Sequence, residues 1–446
     1  MQTLTAVDIL VIGAGSSGCM AALAAATAKN YSVMLVERYG FAGGTSTQML
    51  DTFYGFFTPG DTPKKIVGGL PDTVVNELDQ LGEIFLRPNT YGAGTGVNYN
   101  PERLKNVWDN LLQQAGVQLL LHTVLIDVNQ QSNGAYECIF WNKGGFWKAN
   151  PKRVIDASGD ADFCHLAGFK YELAGELEPA QSLTTTFRMA NVDLQEYELA
   201  GGKKMLSEKM LSTTHPLPRK EGSAHAMNIE KCIATVAVKV AGLNALDASD
   251  LTLAEIEGRR QSFVFERFFR DEVPGYSHAK IIGLSNQVGV RETRRVYGEQ
   301  RLTKEDCMSA GIPSDSVLLC GAPIEDHRAG KGGEQETFWQ YIPKGGVYGV
   351  PYGTLVPAGS ETVWVTGRCF SATHDAHASC RSMAQTMAMG TAVGVAVIQS
   401  LDNDEEAAQI NTFKLRTTLH RQGAILETPG STAYTGKNEW NLNFKD

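Results

Sequence analysis

Two histidines and an arginine near the carboxyl end have side chains that can bind or move a proton. His374 and His377 are the only closely paired histidines, three residues apart beside Asp375, and Arg381 follows shortly after. A histidine that titrates near neutral pH can accept a proton while a hydride leaves the same substrate. Arg381 can hold an anionic group. The two histidines lack a third ligand at a recognisable spacing, such as His-Glu-x-x-His, so no metal is expected. A structural hydrogen-bonding role for either histidine is an equal alternative.

A glycine-rich turn near the amino end predicts a phosphate-binding element. Val7–Ile12 is short, apolar and β-branched, which is typical of a buried parallel strand, and Gly13-Ala14-Gly15-Ser16-Ser17-Gly18 then leads into a helix of small residues. Gly13 allows the tight turn, Gly15 lets a pyrophosphate approach the backbone, and Gly18 lets the helix pack on the strand. The phosphates would lie at the helix N-terminus, whose free N–H groups and dipole favour anions.

The next strand and the loop after it extend this prediction to a whole dinucleotide. Val33–Val36 reads as the second strand and Glu37 ends it. Glu37 lies about twenty residues beyond the glycine turn, where a carboxylate can accept hydrogen bonds from ribose hydroxyls. The sequence Gly43-Gly44-Thr45-Ser46-Thr47 follows closely. Its paired glycines would let the backbone pass over a flat ring, a feature that a nicotinamide domain does not need.

Four segments resemble the FAD-dependent oxidoreductase family of glutathione-reductase-like flavoproteins. Glu37–Thr47 looks like the GG-x-x-T signature, and Val154–Asp160 resembles the V-I-D-A-T-G-D segment with Ser158 in place of threonine. Gly289–Arg295 is similar to G-V-R-E-T-R-R, and Gly367–Arg381 to the signature G-R-c-i-S-a-t-h-x-A-h-x-S-x-R. The resemblance implies FAD, with its adenosine ribose on Glu37 and its isoalloxazine near the paired glycines. It also implies that the helix after Arg381 points its N-terminus at the pyrimidine edge of the flavin.

The motifs and the resemblance together assign contact with the cofactor to one set of residues. These are Gly13, Gly15, Ser16, Ser17, Gly18, Glu37, Arg38, Gly43, Gly44, Thr45, Ser46, Thr47, Ser158, Gly159, Asp160, Arg291, Gly367, Arg368 and Met383. Of the three arginines in Gly289–Arg295, Arg291 is expected to point inward, to a phosphate or an anionic substrate group. A solvated or ion-paired face is the alternative for all three.

The predicted fold class is α/β. A Rossmann-like FAD-binding domain, with a parallel sheet flanked by helices, would carry an inserted mixed α+β substrate or cap domain. We expect the first part of the FAD-binding domain at 1–168, the cap at 169–343, the return segment at 344–400, and a C-terminal helix with a polar tail at 401–446. The length of 446 residues favours two joined domains over one small core.

Local patterns place several elements. Asn100-Pro101-Glu102 has the N-cap, the first-turn proline and the acid that open a helix, and Val117–Val128 reads as one strand. Thr252-Leu253-Ala254-Glu255 reads as a capping box that opens another helix. Cys369–Arg381 reads as a loop before a helix over 382–398, in which Gly390 and Gly394 share one face for a tight contact. The aromatic stretch Leu50–Gly60 reads either as a packing loop or as a wall of the substrate cavity.

Composition sets further bounds. The formal net charge of −9 argues against nucleic-acid and membrane-surface partners, because both attract basic patches. The apolar stretch over 9–28 lacks a basic leader and is broken by the glycine turn, so neither a signal peptide nor a membrane span is expected. The eight cysteines show no Cys-x-x-Cys spacing. This argues against a disulfide reductase and fits a reducing cytoplasm.

Two alternative reactions are compatible with the predicted flavoenzyme. In the first, a hydride passes between a small organic substrate and flavin N5, as in a dehydrogenase, an oxidase or a double-bond reductase. In the second, the reduced flavin binds O2 and hydroxylates the substrate, with NAD(P)H as reductant; the single glycine fingerprint disfavours the classes that have a separate nicotinamide domain. A flavin-binding protein without turnover is a third reading. His327 and Tyr341 are weaker cavity candidates, and Cys369 or either of the paired histidines could carry a covalent flavin link.

Overall fold

The computed structural model describes residues 2–3, 7–89, 92–327 and 337–428. Its strands are β1 (Gln2–Thr3), β2 (Ile9–Ile12), β3 (Val33–Val36), β4 (Thr52–Phe53), β5 (Ile84–Arg87), β6 (Gly96–Tyr99), β7 (Gln118–Leu120), β8 (Val124–Gln130), β9 (Tyr136–Asn142), β10 (Gly145–Ala149), β11 (Arg153–Asp156), β12 (Tyr171–Leu173), β13 (Phe187–Ala190), β14 (Ser223–Ala226), β15 (Ile233–Val236), β16 (Lys280–Leu284), β17 (Arg294–Val296), β18 (Ser316–Cys320), β19 (Ile324–Asp326), β20 (Phe338–Gln340), β21 (Tyr348–Pro351) and β22 (Val363–Val365). Its α-helices are α1 (Ser16–Ala26), α2 (Thr45–Gln48), α3 (Leu70–Gln80), α4 (Pro101–Gln114), α5 (Asp162–Leu166), α6 (Leu194–Leu199), α7 (Gly202–Ser212), α8 (Ala248–Glu272), α9 (Lys304–Ser309), α10 (His374–Cys380), α11 (Met383–Asn403) and α12 (Thr412–Arg421).

A five-stranded parallel sheet in the order β22-β11-β2-β3-β7 forms the centre of the nucleotide-binding half. Strands β2, β3 and β22 are buried along their whole length, because helices cover both faces of a parallel sheet. Helix α1 connects β2 to β3 and packs against α11. The predicted α/β fold with a parallel sheet flanked by helices is confirmed.

The tight contact predicted for Gly390 and Gly394 exists between α11 and α1. A Cβ atom on Gly390 would lie 2.1 Å from the carbonyl oxygen of Ser17, and one on Gly394 would lie 2.5 Å from that of Ala21. Helix α11 is also the one described helix that is long and apolar enough to cross a membrane, yet 72% of its apolar stretch is buried inside the fold. It is therefore placed as a core helix that supports the glycine turn.

A second sheet, in the order β14-β15-β13-β16, packs with α6 to α8 around a core of its own, which includes Phe187, Phe265 and Phe269. This unit lies inside the segment predicted as a cap. Leu302 and Val317–Cys320, from the same segment, pack instead in the largest core together with α1 and α11. The predicted domain boundaries stay a prediction.

Several local predictions are confirmed and others are wrong. The Asn100 side chain accepts a hydrogen bond from the N–H of Glu102 and opens α4 as expected. Val117–Val128 is two strands rather than one, because His122 has a left-handed backbone (φ 54°) and sends β8 into a different sheet. Thr252 does not open a helix: α8 begins earlier, with Asp247 as its N-cap. Cys369–Arg381 is not all loop, since it contains α10, and α11 extends to Asn403.

Candidate cofactor and substrate site

The glycine turn forms an open cradle at the N-terminus of α1. Gly13 has φ +95°, and a Cβ there would lie 2.5 Å from the carbonyl oxygen of Ala157, so only glycine fits. A Cβ on Gly18 would lie 1.9 Å from the carbonyl oxygen of Gly13. At Gly15 the same construction meets no atom within 4 Å, because this residue faces a large cavity. The turn therefore leaves space at the position where the sequence predicts a pyrophosphate.

The loop of paired glycines packs on this cradle. The N–H of Gly43 donates to the carbonyl oxygen of Ala14 at 2.7 Å, and a Cβ on Gly44 would lie 2.8 Å from the Cα atom of Gly15. Both glycines have positive φ. The paired glycines thus hold the second strand's loop against the first turn, and Gly43, Gly44 and Thr45 line the cavity.

Most hydroxyl groups of this region make hydrogen bonds to other protein groups. Ser16 Oγ donates to Ser46 Oγ at 3.0 Å, Ser17 Oγ lies 2.6 Å from Thr366 Oγ1, and Thr47 Oγ1 donates to the carbonyl oxygen of Ala42 at 2.7 Å. Ser16 and Ser17 line the cavity, whereas Gly18, Ser46 and Thr47 lie behind its wall. Ser46 and Thr47 support the loop of paired glycines, and the structure does not bring them to the cavity as the sequence prediction assumed. Gly18 has the packing role predicted for it, since a Cβ there would also lie 3.0 Å from the Cβ of Ala157, directly after β11.

Glu37 lies at the end of β3 and faces the cavity, as expected. Its carboxylate accepts hydrogen bonds from the N–H groups of Ala14 (2.7 Å) and Tyr39 (2.9 Å). Burial raises the pKa of this carboxyl, against the lowering effect of those two N–H groups. The hydrogen bond from Ala14 joins Glu37, the residue predicted to bind the ribose, directly to the glycine turn.

Asp160 is the centre of an ion-pair network beside this end of the cavity. Asp160 Oδ1 accepts hydrogen bonds from Arg368 Nη2 at 2.7 Å and from Thr293 Oγ1 at 2.9 Å, and its Oδ2 lies 3.7 Å from Arg38 Nη2. Burial alone would raise the pKa of Asp160, but Arg368 and Arg38 outweigh it and lower the pKa. Ser158, Gly159, Gly367 and both arginines line the cavity, whereas Asp160 lies behind them and positions the two guanidinium groups.

The two predicted catalytic histidines do not line the cavity. His374 is buried between two carboxylates, with Nδ1 3.2 Å from Glu292 Oε2 and Nε2 3.3 Å from Asp326 Oδ1. Burial alone would lower its pKa, but the hydrogen bonds to Asp326 and Glu292 raise the pKa to about 10. At neutral pH His374 is therefore a buried cation in an ion-pair cluster. It cannot accept a proton there, and the catalytic prediction finds no support in its position.

His377 is fully buried, and its Nε2 lies 2.7 Å from the carbonyl oxygen of Arg368. Burial lowers the pKa of His377 to about 3, so the ring is neutral. It stacks on Phe370 and holds the segment that carries Arg368. Cys369 also lies away from the cavity, and burial raises the pKa of its thiol. The structure therefore places none of the three residues considered for a covalent flavin link at the cavity wall.

Ligand atoms of Glu178, His374 and Asp375 lie within 4.8 Å of one another. A histidine must be neutral to bind a metal, whereas His374 is held protonated by Glu292 and Asp326. Asp375 Oδ2 is also paired with Lys304 Nζ at 2.9 Å. This group is better described as part of the ion-pair cluster, and the expectation of no metal stays a prediction.

Sequence reasoning missed a carboxylate–imidazole pair at the cavity wall. His225 Nε2 lies 2.9 Å from Asp51 Oδ1 and 3.1 Å from Asp51 Oδ2. Asp51 follows the paired-glycine loop in the stretch Leu50–Gly60, and His225 lies on β14 of the second sheet, 174 residues away in the chain. No motif links the two residues, so only the fold could have shown this pair.

The cavity that these residues share has a volume of about 1490 Å³. Drug-sized ligands occupy pockets of about 300–1000 Å³, so this one has room for a dinucleotide and a second molecule. From Leu50–Gly60, four residues line the cavity (Leu50, Asp51, Thr52 and Tyr54) while the phenylalanines are buried in the core, so both readings of that stretch apply. Arg291, Arg381, Met383 and His327 line the cavity; Tyr341 does not.

Comparison with known proteins gives one family. The family model described as "FAD dependent oxidoreductase" matches residues 8–419. No curated protein matches the chain at a significant level.

Several solved structures show a distant similarity. They include p-nitrophenol 4-monooxygenase from Pseudomonas putida DLL-E4 (10% identity, 92% of this chain and 84% of that chain, TM-score 0.47) and a geranylgeranyl bacteriochlorophyll reductase-like protein from Thermoplasma acidophilum (14%, 95% and 85%, 0.47). A flavoprotein/dehydrogenase from Cytophaga hutchinsonii is a third (13%, 94% and 83%, 0.42). None of these similarities assigns a reaction or a substrate to this chain.

Proposed function

The chain belongs to the FAD dependent oxidoreductase family, and on that premise we propose that it transfers a hydride between a small organic substrate and the flavin. FAD is the cofactor, and the residues present fit it. Gly15 leaves open space at the N-terminus of α1, Glu37 stands at the end of β3, and the N-terminus of α11 with Met383 lies at the same cavity. When bound, the flavin supplies an acceptor for two electrons and a hydrogen at N5.

The pair of Asp51 and His225 carries this proposal. Asp51 is buried, and burial alone would raise its pKa; His225, together with Arg87 and Arg188, outweighs that effect and lowers the pKa of Asp51. Asp51 is therefore an anion at neutral pH and fixes the imidazole through Nε2. His225 Nδ1 is buried and has no hydrogen-bond partner within the described residues. With the proton on Nε2, Nδ1 is left as the acceptor.

These residues match what removal of a hydride requires. A substrate that loses a hydride from carbon also loses a proton from the neighbouring oxygen, nitrogen or carbon, so that a double bond forms. His225 lines the cavity and would take that proton when substrate binding gives access to the buried Nδ1, and Asp51 would stabilise the charge that develops on the ring. The reverse transfers would reduce a double bond. A positioned acid or base of this kind contributes about 10²–10⁴-fold to the rate.

Hydroxylation with NAD(P)H and O2 is the competing function. It needs reduction of the flavin by nicotinamide, whereas the proposed reaction needs reduction by the substrate itself.

We also propose the cytoplasm as the compartment, since all eight cysteines are free and buried. The other redox partner is then either O2 or a further electron acceptor.

The test is anaerobic reduction of the purified holoenzyme. Reduction is measured as the loss of flavin absorbance. One arm uses NADH or NADPH alone, and the other uses a panel of 2-hydroxy acids, amino acids, alcohols and saturated acids without nicotinamide. We expect bleaching only in the second arm, and His225→Gln to slow it by about 100-fold or more while FAD stays bound. His420→Gln, on the exposed side of α12, is the matched control. Rapid bleaching by NADPH alone would favour the hydroxylase, and unchanged reduction of His225→Gln would remove the role of the pair.

A further inference from the structure

Two arginines at the cavity wall have no acidic partner among the described residues. Arg291 Nη1 donates to the carbonyl oxygen of Ser182. Arg381 Nη2 donates to Gln181 Oε1 at 3.0 Å and to the carbonyl oxygen of Glu325 at 3.3 Å. All three acceptors are neutral, although both arginines line the cavity. Buried guanidinium groups are normally paired with a carboxylate or another anion.

The same neighbourhood holds several polar groups without a partner. Within the described part of the chain, Arg381 Nε, Gln181 Nε2 and Ser182 Oγ are buried and make no hydrogen bond. Gln181 is only 4% exposed, and its other amide atom already binds Arg381. An unsatisfied buried donor costs about 1–3 kcal/mol, so such a group signals a missing acceptor. Of these three residues only Arg381 lines the cavity, whereas Gln181 and Ser182 lie behind its wall and bind the two guanidinium groups from there.

The charges at this end of the cavity leave an excess of one positive charge. Three arginines line it: Arg219, Arg291 and Arg381. Arg219 is paired with Glu221 at 2.8 Å, and the remaining acid, Glu325, is bound by His327 Nε2 at 2.9 Å. His327 itself is neutral, because burial and the neighbouring Arg291 lower its pKa to about 3.

Burial and the neighbouring Arg381 both disfavour the charged form of Arg291. Burial lowers the pKa of this guanidinium to about 9, and Arg381 adds to the lowering. Glu325 is fully ionised, because His327, Arg381 and Arg291 outweigh its burial and hold its pKa at about 2. On the cavity wall one carboxylate thus faces two guanidinium groups. Glu292 and Asp326, which also act on Arg381, lie behind the wall and are paired with Arg295 and His374. A ligand with a single negative charge would restore neutrality.

We propose that Arg291 and Arg381 form a subsite that binds the carboxylate of the substrate. A planar carboxylate accepts the paired N–H groups of a guanidinium. One net positive charge matches a monocarboxylate better than a phosphate dianion. The substrate class that follows is a small organic acid. This inference rests on the proposed function for the identity of the ligand as substrate, but the binding itself does not require turnover.

The experiment measures binding to the oxidised holoenzyme without any turnover. Monocarboxylates from acetate to phenylacetate are titrated against the protein, each beside its neutral amide, with inorganic phosphate as a third arm. Binding is followed by calorimetry and by the change in flavin absorbance. We expect at least one acid to bind about tenfold or more tightly than its amide, and more tightly than phosphate, as charge-assisted hydrogen bonds predict.

Substitutions locate the site. Arg291→Gln and Arg381→Gln should each weaken the binding of the acid about tenfold or more and leave the amide unchanged, and Arg381→Lys should restore part of the loss. Arg259→Gln is the control for the loss of one charge, since Arg259 lies on the exposed face of α8 with Glu255. Equal affinity of acids and amides, tighter binding of phosphate, or full binding by both glutamine variants would each overturn the proposal. If a glutamine variant does not fold, the comparison of acids with amides in the unaltered protein still decides it.

Carboxylate binding without flavin reduction would leave the subsite standing and refute only the hydride-transfer function. Reduction of the flavin by an uncharged substrate, with no preference for acids, would leave the hydride-transfer function standing and refute the carboxylate subsite. The two proposals therefore fail in different ways.

Discussion

Replacement of Gly15 by alanine tests where the cofactor phosphates bind. Gly15 has φ −64° and ψ 173°, which alanine adopts without strain, and an added Cβ would meet no atom within 4 Å. Alanine restricts the unfolded chain, which raises the free energy of unfolding by about 0.4–1 kcal/mol. Alanine is also a poorer N-cap than glycine, which lowers that free energy by a similar amount. The free energy of unfolding of the apoprotein should therefore change by less than about 0.5 kcal/mol.

The affinity for FAD should behave differently. The new methyl group would fill the space that a phosphate needs to reach the N–H groups at the start of α1. Loss of one charge-assisted hydrogen bond, at about 1.5–3 kcal/mol, corresponds to a dissociation constant raised about 10- to 100-fold. Apoprotein stability is measured by urea unfolding and FAD affinity by quenching of flavin fluorescence.

Gly18→Ala is the matched comparison, because its Cβ would lie 1.9 Å from a backbone oxygen that cannot move aside cheaply. It should cost the apoprotein about 1–3 kcal/mol or more. Wild-type affinity of Gly15→Ala for FAD would refute the placement of the phosphates. A loss of apoprotein stability equal to that of Gly18→Ala would refute the claim that Gly15 faces open space.

Three further predictions concern the frame of the site. The free energy of unfolding should fall by about 3 kcal/mol from pH 7 to pH 10, because the folded-state pKa of His374 is about 10 against an unfolded value near 6.5. Its contribution is complete below pH 6.5 and is lost as the pH rises through 10, so His374→Gln should flatten this slope in urea titrations. Gly390→Ala should push α11 away from α1 and lower both the thermal midpoint and the FAD content of the purified protein, whereas Ala388→Gly on the same helix should cost only about 1 kcal/mol and keep FAD. Asn100→Ala should cost about 1 kcal/mol in urea unfolding through loss of the N-cap of α4, with no effect on FAD affinity.

Local signals in the sequence determined the nucleotide-binding half. The strand–turn–helix around Gly13, the acidic end of β3 and the N-cap at Asn100 depend on residues close together in the chain, so their chemistry can be read without the fold. The same is true of Gly390 and Gly394, whose spacing on one helical face predicts a close neighbour. The family resemblance identified Gly367 and Arg368, which line the cavity, for the same reason, since its motif is contiguous.

What the sequence did not determine depends on which distant residues meet. His374 and His377 have the residue types of a catalytic pair, but Glu292 and Asp326 come from elsewhere in the chain and hold the first as a buried cation. The three-residue spacing of the two histidines cannot show such partners. The predicted single strand over 117–128 failed similarly, because a left-handed residue changes the sheet without changing the apolar pattern.

On the side of the cavity proposed to bind the substrate, the sequence predicted Arg291 and Arg381 as anion-binding residues, whereas the pair of Asp51 and His225 was shown by the tertiary structure alone. Asp51 and His225 are 174 residues apart and meet because β14 of the second sheet packs over the loop that follows the paired glycines. Arg291 and Arg381 are likewise brought to one cavity from different elements, and their lack of an acidic partner in the described chain is a property of the packing. A sequence specifies the cofactor through short-range turns and helix ends, whereas a substrate is recognised by side chains that only long-range packing brings together.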